Sequence, residues 1–167
     1  MDNMKKIAII GSSGSGKSTF SLQLSEKLNL PVIHLDKHFW KPGWEKTENT
    51  QWREFQKNIC LGDSWIIEGN YKNTLDIRLN ACDTIIFLDV NRFTCLYRVM
   101  KRSFFSKNRP DMAEGCPERF NVELIKFVWE YPQMTRLLIL NKLNELTNRK
   151  RIIIASSGAS VLKHFPK

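Results

Sequence analysis

The apolar residues of this chain follow two rhythms. Residues 7–10, 32–35, 65–67, 84–90 and 151–155 are short, nearly unbroken runs rich in Ile, Val and Leu. Runs without polar alternation suit strands covered on both faces, as in a parallel sheet. Between them the spacing turns helical. Residues 18–28 place Phe20, Leu24 and Leu28 on one face, and residues 48–59 do the same with Trp52, Phe55 and Ile59. Residues 93–104 and a long stretch over 118–146 complete the helical set, and Pro132 is expected to kink or split the last one. Strands alternating with helices predict an α/β protein: a three-layer α/β/α sandwich on a five-stranded parallel sheet, with right-handed crossovers.

Two stretches break the alternation. Residues 37–47 carry His38, Phe39, Trp40, Pro42, Gly43 and Trp44; residues 106–117 carry Arg109, Pro110, Asp111, Gly115 and Cys116. Both read as structured loops, and loops on an α/β scaffold often carry function.

Length and composition narrow this picture. A chain of 167 residues fits one domain spanning 1–167, and no repeat, low-complexity tract or linker divides it. The net charge of +9 admits nucleic acid, an anionic membrane or a polyanionic small molecule as partner. The basic residues are spread out, with denser stretches over 92–109 and 149–151 and no Lys/Arg tail. That distribution favours phosphates near a site, with nucleic acid left open. Cys60, Cys82, Cys95 and Cys116 form no CxxC pair and no ligand set with histidine, so they read as free thiols of a reducing cytosol. The N-terminal apolar run is too short for a signal peptide or a membrane span. The expectation is a cytoplasmic protein with no membrane partner.

The strongest chemical signal follows the first run. Gly11-Ser12-Ser13-Gly14-Ser15-Gly16-Lys17-Ser18 matches GxxxxGK[ST] between a predicted strand and a predicted helix. Glycines let the backbone wrap closely, so that its N–H groups converge on phosphate oxygens at a helix N-terminus. Lys17 supplies a point charge to the β- and γ-phosphates, the Ser18 hydroxyl can hold Mg²⁺, and Thr19 continues the cradle. The reading is a nucleoside triphosphate site, with ATP and Mg²⁺ as the expected cofactors. A GTPase would need NKxD after a strand. Asn141-Lys142-Leu143-Asn144 lacks the Asp and falls within the long helical stretch.

From here the sequence resembles the adenylate-kinase-like group of nucleoside and small-metabolite kinases. In that group the third strand ends in an acidic residue followed by Gly, and Trp65-Ile66-Ile67-Glu68-Gly69-Asn70-Tyr71 looks like that element. The resemblance implies that Glu68 orients Mg²⁺ directly or through water, while Asp89 is structural. It also implies a helix bearing lid arginines after the fourth strand. Arg98 and Arg102, spaced i, i+4, share a helix face and would clamp the transferring phosphoryl group. Residues 156–161, Ser-Ser-Gly-Ala-Ser-Val, take the place of the loop that packs on adenine.

A closer resemblance covers nearly the whole chain. The chain is similar to the adenylate-kinase-related family of DNA topology modulation proteins. The likeness rests on the phosphate loop, on His34-Leu35-Asp36 leading to Trp40-Lys41-Pro42-Gly43-Trp44, on Glu68-Gly69-Asn70-Tyr71, and on Arg109-Pro110-Asp111-Met112 with Glu114-Gly115-Cys116-Pro117-Glu118. The family commonly has Asp where this chain has Glu68, which keeps the carboxylate and lengthens its reach. The family name implies a link to DNA supercoiling.

The acceptor side is read from both sources. Asp36 follows the second strand, at the sheet edge where ligands bind in doubly wound folds. It is the candidate to take the acceptor's proton, or else it caps the following loop. His38, Trp40 and Trp44 either wall an acceptor pocket or pack beneath the loop. Arg53 and Arg78 either bind an acceptor phosphate or form surface ion pairs. A small helical lid over about residues 103–120, with Arg109 and Arg119, would close over the phosphates. The expected activity is γ-phosphoryl transfer from ATP to a small-molecule acceptor, possibly a nucleoside or nucleotide, with Lys17, Asp36, Arg98, Arg102 and Arg109 at the chemistry. The alternative is an ATP-binding regulator associated with DNA topology.

Overall fold

A computed structural model describes residues 4–105, 111–117 and 119–165. Its centre is a five-stranded parallel sheet of β1 (Lys6–Gly11), β2 (Val32–His34), β5 (Trp65–Glu68), β6 (Thr84–Leu88) and β7 (Arg151–Ala155), in the order β2-β5-β1-β6-β7. β1 lies in the middle, with Ile9 opposite Glu68 on one side and Gly11 opposite Leu88 on the other. Every predicted strand is present.

The unbroken apolar runs serve two cores at once. Successive side chains on a strand point to opposite faces. Ala8, Ile10, Ile67, Ile85 and Phe87 therefore face one helical layer with Trp52, Leu79, Ile139 and Leu143. Ile7, Ile9, Ile66, Ile86 and Leu88 face the other with Phe20, Leu24 and Val161. The first layer holds α3 (Asn49–Cys60), α4 (Leu75–Ala81) and α7 (Thr135–Leu146); the second holds α1 (Lys17–Leu28) and α8 (Gly158–Leu162). Burying a large apolar side chain stabilises by about 1.5–3 kcal/mol, so these two stripes per strand hold the sandwich together. A third small cluster of Cys95, Val99 and Val128 joins α5 (Arg92–Phe105) to α6 (Val122–Glu130).

The strand boundaries differ from expectation in two places. Leu35 does not extend β2; it opens the short helix α2 (Leu35–Phe39), and its fully buried side chain fills the space beside Gly69. The fourth run ends as a strand at Leu88: Asp89 N–H still donates to the Ala155 carbonyl of β7 at 2.9 Å, while its carboxylate turns to the Arg136 guanidinium in a two-pronged pair at 2.7–3.0 Å. The 118–146 stretch divides around Pro132, as expected. Asn121 caps α6 through Leu124 N–H, and the Tyr131 carbonyl accepts from Thr135 and Arg136 as α7 begins. Glu48 caps α3 by accepting from the Thr50 and Gln51 N–H groups.

The stretch 37–47 is more ordered than a loop. After α2 it forms a small antiparallel hairpin of β3 (Trp40–Lys41) and β4 (Glu45–Lys46) around the Pro42–Trp44 turn. Among the described residues, no helix is long and apolar enough to cross a membrane.

Candidate active site

The phosphate loop leaves β1 at Gly11 and enters α1 at Lys17. Two of its glycines are required by space as well as by dihedral. A Cβ on Gly11 would come within 2.7 Å of the Leu88 carbonyl oxygen. Gly14 has φ +79°, and a Cβ there would strike the Cys95 backbone. Ser12 and Ser15 are buried and hold the inside of the loop. The first turn of α1 has no side-chain cap, which leaves its N–H groups facing a ligand rather than a capping oxygen. Lys17 Nζ donates to the Ser12 carbonyl at 2.9 Å and so lies across the loop it belongs to.

Glu68 ends β5 directly beside this loop. It is 3% exposed, and its Oε1 accepts from Ser18 Oγ at 3.1 Å. The same oxygen meets His34 Nδ1 at 2.9 Å. A carboxylate only accepts, so His34 carries its ring proton on Nδ1. Nothing in the chain's linear pattern gives His34 a role, since it does not say that β2 and β5 are neighbours. Their pairing, with His34 opposite Glu68, makes the contact. The donor set fits Mg²⁺: one hydroxyl and one carboxylate, both hard oxygens, at the edge of a phosphate cradle. Among the described residues no cluster of three His, Cys, Asp or Glu forms an all-protein metal cage. Mg²⁺ ordinarily takes one or two protein oxygens plus water and substrate phosphate.

A cavity of about 940 Å³ runs from the phosphate loop across the top of the sheet. Ser13, Gly14, Gly16, Lys17, Ser18 and Thr19 line it at the phosphate loop, together with Arg98 and Arg102. The two arginines lie on one face of α5, as their spacing predicted, and Arg98 Nη1 donates to the Gly14 carbonyl at 3.3 Å. At the other end stand Asp36, Trp40 and Trp44. The indoles meet edge to face at 5.4 Å and are half-buried, so they both pack and face the cavity.

Tyr71, to which the sequence pattern gave no role, lines the same cavity beside Asp36. Its hydroxyl donates to Asp36 Oδ1 at 2.6 Å. Burial and the Asp36 carboxylate both push the phenol's pKa far up, so it stays protonated and remains a donor. Its ring rests on Phe39 and Trp52, at centroid distances of 4.7 and 5.0 Å.

Three predicted acceptor contacts do not reach the cavity. Arg78 is wholly buried behind the Gly69–Asn70 turn. Its guanidinium donates to Gln56 Oε1 and to the Gly69 and Asn70 carbonyls at 3.2 and 3.3 Å. Burial pushes its pKa down to about 10, which leaves it cationic at neutral pH. It braces the chain after Glu68 and presents no surface to an acceptor phosphate. Arg53 turns outward, donating to the Asn73 carbonyl at 2.9 Å with Asp76 at 3.9 Å. His38 is exposed and lies against Phe55 at 4.8 Å. In the 156–161 loop, Gly158 lies against the Phe20 ring.

The stretch expected to form a lid is described only over residues 103–105, 111–117 and 119–120. Ser103–Phe105 finish α5, residues 111–117 form non-helical turns, and Arg109 falls outside the described residues. Asp111, Met112 and Arg119 line the cavity. The segment docks on the hairpin turn: Gly43 N–H donates to the Gly115 carbonyl at 3.0 Å, and the buried Cys116 thiol donates to the Lys41 carbonyl at 3.1 Å. Arg119 covers Trp44, 5.3 Å above its ring. Cys60, Cys82, Cys95 and Cys116 are all buried free thiols.

No protein-family model matches the chain. The uncharacterised protein YqaC of Bacillus subtilis is 28% identical over 113 residues, 66% of this chain, and the chain spans 64% of that protein's length. Adenylate kinase 2 of Synechocystis is 25% identical over 182 aligned positions, covering 90% of this chain and 98% of that enzyme. Among solved structures, shikimate kinase from Aquifex aeolicus has a TM-score of 0.55 at 18% identity, covering 95% of this chain and 91% of its own. Shikimate kinase from Bacteroides thetaiotaomicron gives 0.52 at 20%, covering 92% and 88%. A gluconokinase from Sinorhizobium meliloti gives 0.56 at 15%, covering 95% and 87%. At these identities the likeness is one of fold, and the fold is the α/β P-loop fold found in small-molecule kinases.

Proposed function

We propose that the protein is an ATP-dependent phosphotransferase that moves the γ-phosphoryl group of ATP to a small-molecule acceptor. One observation carries the reading: a single cavity joins the phosphate loop, the Ser18–Glu68 pair and the Asp36–Trp40–Trp44 wall. A plain ATPase has no use for the second half of that cavity. The relatives point the same way, since a full-length match is an adenylate kinase and the structural neighbours are kinases.

The residues divide the work by position. The loop N–H groups from Ser12 to Ser18 bind phosphate oxygens, and Lys17 adds charge at the β- and γ-positions. Ser18 and Glu68 would hold Mg²⁺, which would neutralise charge on the phosphates. Arg98 and Arg102 approach the loop from α5 and stabilise the negative charge that spreads over the transferring group. Arg109 remains a candidate for the same role. Asp36, held by Tyr71, faces the acceptor's reacting oxygen. Catalysis of this kind is positioning and electrostatics, with no covalent intermediate on the protein.

The net charge of +9 favours a second reading, an ATP-binding regulator on DNA. The two separate cleanly. Phosphotransfer from γ-labelled ATP to a panel of nucleosides, nucleotides and sugars should fall about 10³-fold in Lys17→Ala. A panel with no labelled product, together with duplex-DNA binding that falls steeply with salt, would replace the kinase reading with the second one.

A further inference from the structure

We infer that His34 is a positioning residue of the magnesium site. It fixes Glu68 by one carboxylate oxygen, so that the other is the one turned to the metal or to a water on it. The inference rests on the reading of Ser18 and Glu68 as the Mg²⁺ pair and deepens it.

The two oxygens of Glu68 stand in different surroundings. Oε1 accepts twice, from Ser18 Oγ at 3.1 Å and from His34 Nδ1 at 2.9 Å. Oε2 accepts from no described residue, yet it is not sealed in the protein interior. Glu68 lines the cavity while keeping only 3% of its surface open. The protein thus holds one oxygen and leaves the other to a ligand.

Ser18 cannot fix that arrangement by itself. It has one hydroxyl proton, and once its oxygen turns a lone pair to a metal, that proton is its whole hold on Glu68. A glutamate side chain has several rotatable bonds, and the last is soft and nearly two-fold. A single tether therefore lets the carboxylate turn and offer either oxygen. A second donor on the same oxygen removes that freedom. Magnesium sites are sensitive to this, because they require near-octahedral geometry at about 2.0–2.1 Å.

The fold brings the second donor from another strand. β2 pairs with β5 so that His34 stands opposite Glu68. The His34 side chain is mostly buried, and Leu35, next in the chain, is fully buried. The imidazole is therefore mounted on a firm strand end. His34 does not line the cavity, so it does not meet a bound ligand itself. Its nitrogen would also suit Mg²⁺ poorly, since that ion takes oxygen. Its effect must pass through Glu68. Groups that hold a metal ligand from behind are worth about 10–100-fold in metal affinity.

The test uses Mn²⁺ in place of Mg²⁺ and measures its affinity for the protein–ADP complex by water-proton relaxation. ADP affinity in EDTA is measured beside it and reports the phosphate loop without metal. His34→Leu, which removes the donor, should weaken Mn²⁺ about 10-fold or more and leave ADP affinity in EDTA unchanged. His34→Asn puts an amide N–H near the place of Nδ1 and should restore Mn²⁺ affinity to within about threefold of wild type. In a Glu68→Gln background, His34→Leu should change Mn²⁺ affinity less than about twofold, since no carboxylate remains to be aimed. Unchanged Mn²⁺ affinity in His34→Leu overturns the inference and leaves the Ser18–Glu68 reading standing. So does an equal loss of ADP binding in EDTA in both His34 variants, which would mark a structural role. A full His34 effect in the Glu68→Gln background overturns the route through Glu68. Mn²⁺ affinity unaffected by Glu68→Gln alone overturns the metal reading itself and this inference with it.

Discussion

The proposed donor and acceptor walls each contain a glycine in almost the same left-handed conformation, Gly14 at φ +79° and Gly43 at φ +78°. Their surroundings differ completely. A Cβ on Gly14 would strike the Cys95 backbone, whereas one on Gly43 would meet nothing within 4 Å. The donor loop is thus held by packing against α5 as well as by its dihedrals. The acceptor hairpin is held by its turn and by the two hydrogen bonds to the 111–117 segment. A loop that must cradle phosphates with backbone N–H groups gains from rigidity, because the groups are already aimed. A wall that meets a second ligand with side chains gains from a looser mounting.

The largest effect should come from the donor wall. Lys17→Ala removes a charge that sits at the loop without filling a core, so transfer should fall about 10³-fold, or about 4 kcal/mol in barrier, with the unfolding midpoint unchanged. A comparable fall in midpoint would mean that Lys17 mainly holds the loop together. Next is Arg78→Met, which leaves Gln56 Oε1 and two backbone carbonyls without their donor inside the protein. Denaturant unfolding should report a loss of about 3 kcal/mol. Loss of activity with full stability retained would instead return Arg78 to substrate contact.

The glycine pair gives the direct test of the comparison. Gly14→Ala should cost more than 2 kcal/mol of stability and weaken ATP binding, because strain and collision add. Gly43→Ala should cost only about 1 kcal/mol, the penalty of the left-handed conformation alone. Equal costs would erase the distinction between the walls. The smallest effect concerns the helix that backs the acceptor side. Hydrogen bonds from Thr50 and the Gln51 N–H hold the Glu48 carboxyl below its ordinary 4.5. A lowered folded value means that its stabilisation is complete above 4.5 and disappears as pH falls through that lower value. Wild type should therefore unfold at a slightly higher temperature than Glu48→Gln at pH 7, and the gap should close as the pH falls below that lowered value. A gap that persists in acid would assign the effect to something other than the charge.

Much of the fold was legible because its signals are local. The apolar runs marked all five strands, and GxxxxGK[ST] marked the turn from β1 into α1. The Arg98–Arg102 pair was legible from helical spacing alone. Residues 37–47 were not, since Leu35 could extend β2 or enter a helix with equal local sense. Burial beside Gly69 decided for the helix. Arg78 misled for the same reason. A cation after a strand looks alike whether it faces a ligand or the underside of a turn.

The sequence by itself determined the phosphate cradle, because its function resides in backbone conformations that neighbouring glycines permit. It also determined the parallel sheet, because a strand buried on both faces must be apolar throughout. Only the tertiary structure decided the acceptor end. Tyr71 reaches Asp36 across 35 positions, His34 reaches Glu68 across 34, and Cys116 reaches Lys41 across 75. Contacts of that span depend on which strands become neighbours and which loops close on one another, and no local spacing rule encodes either.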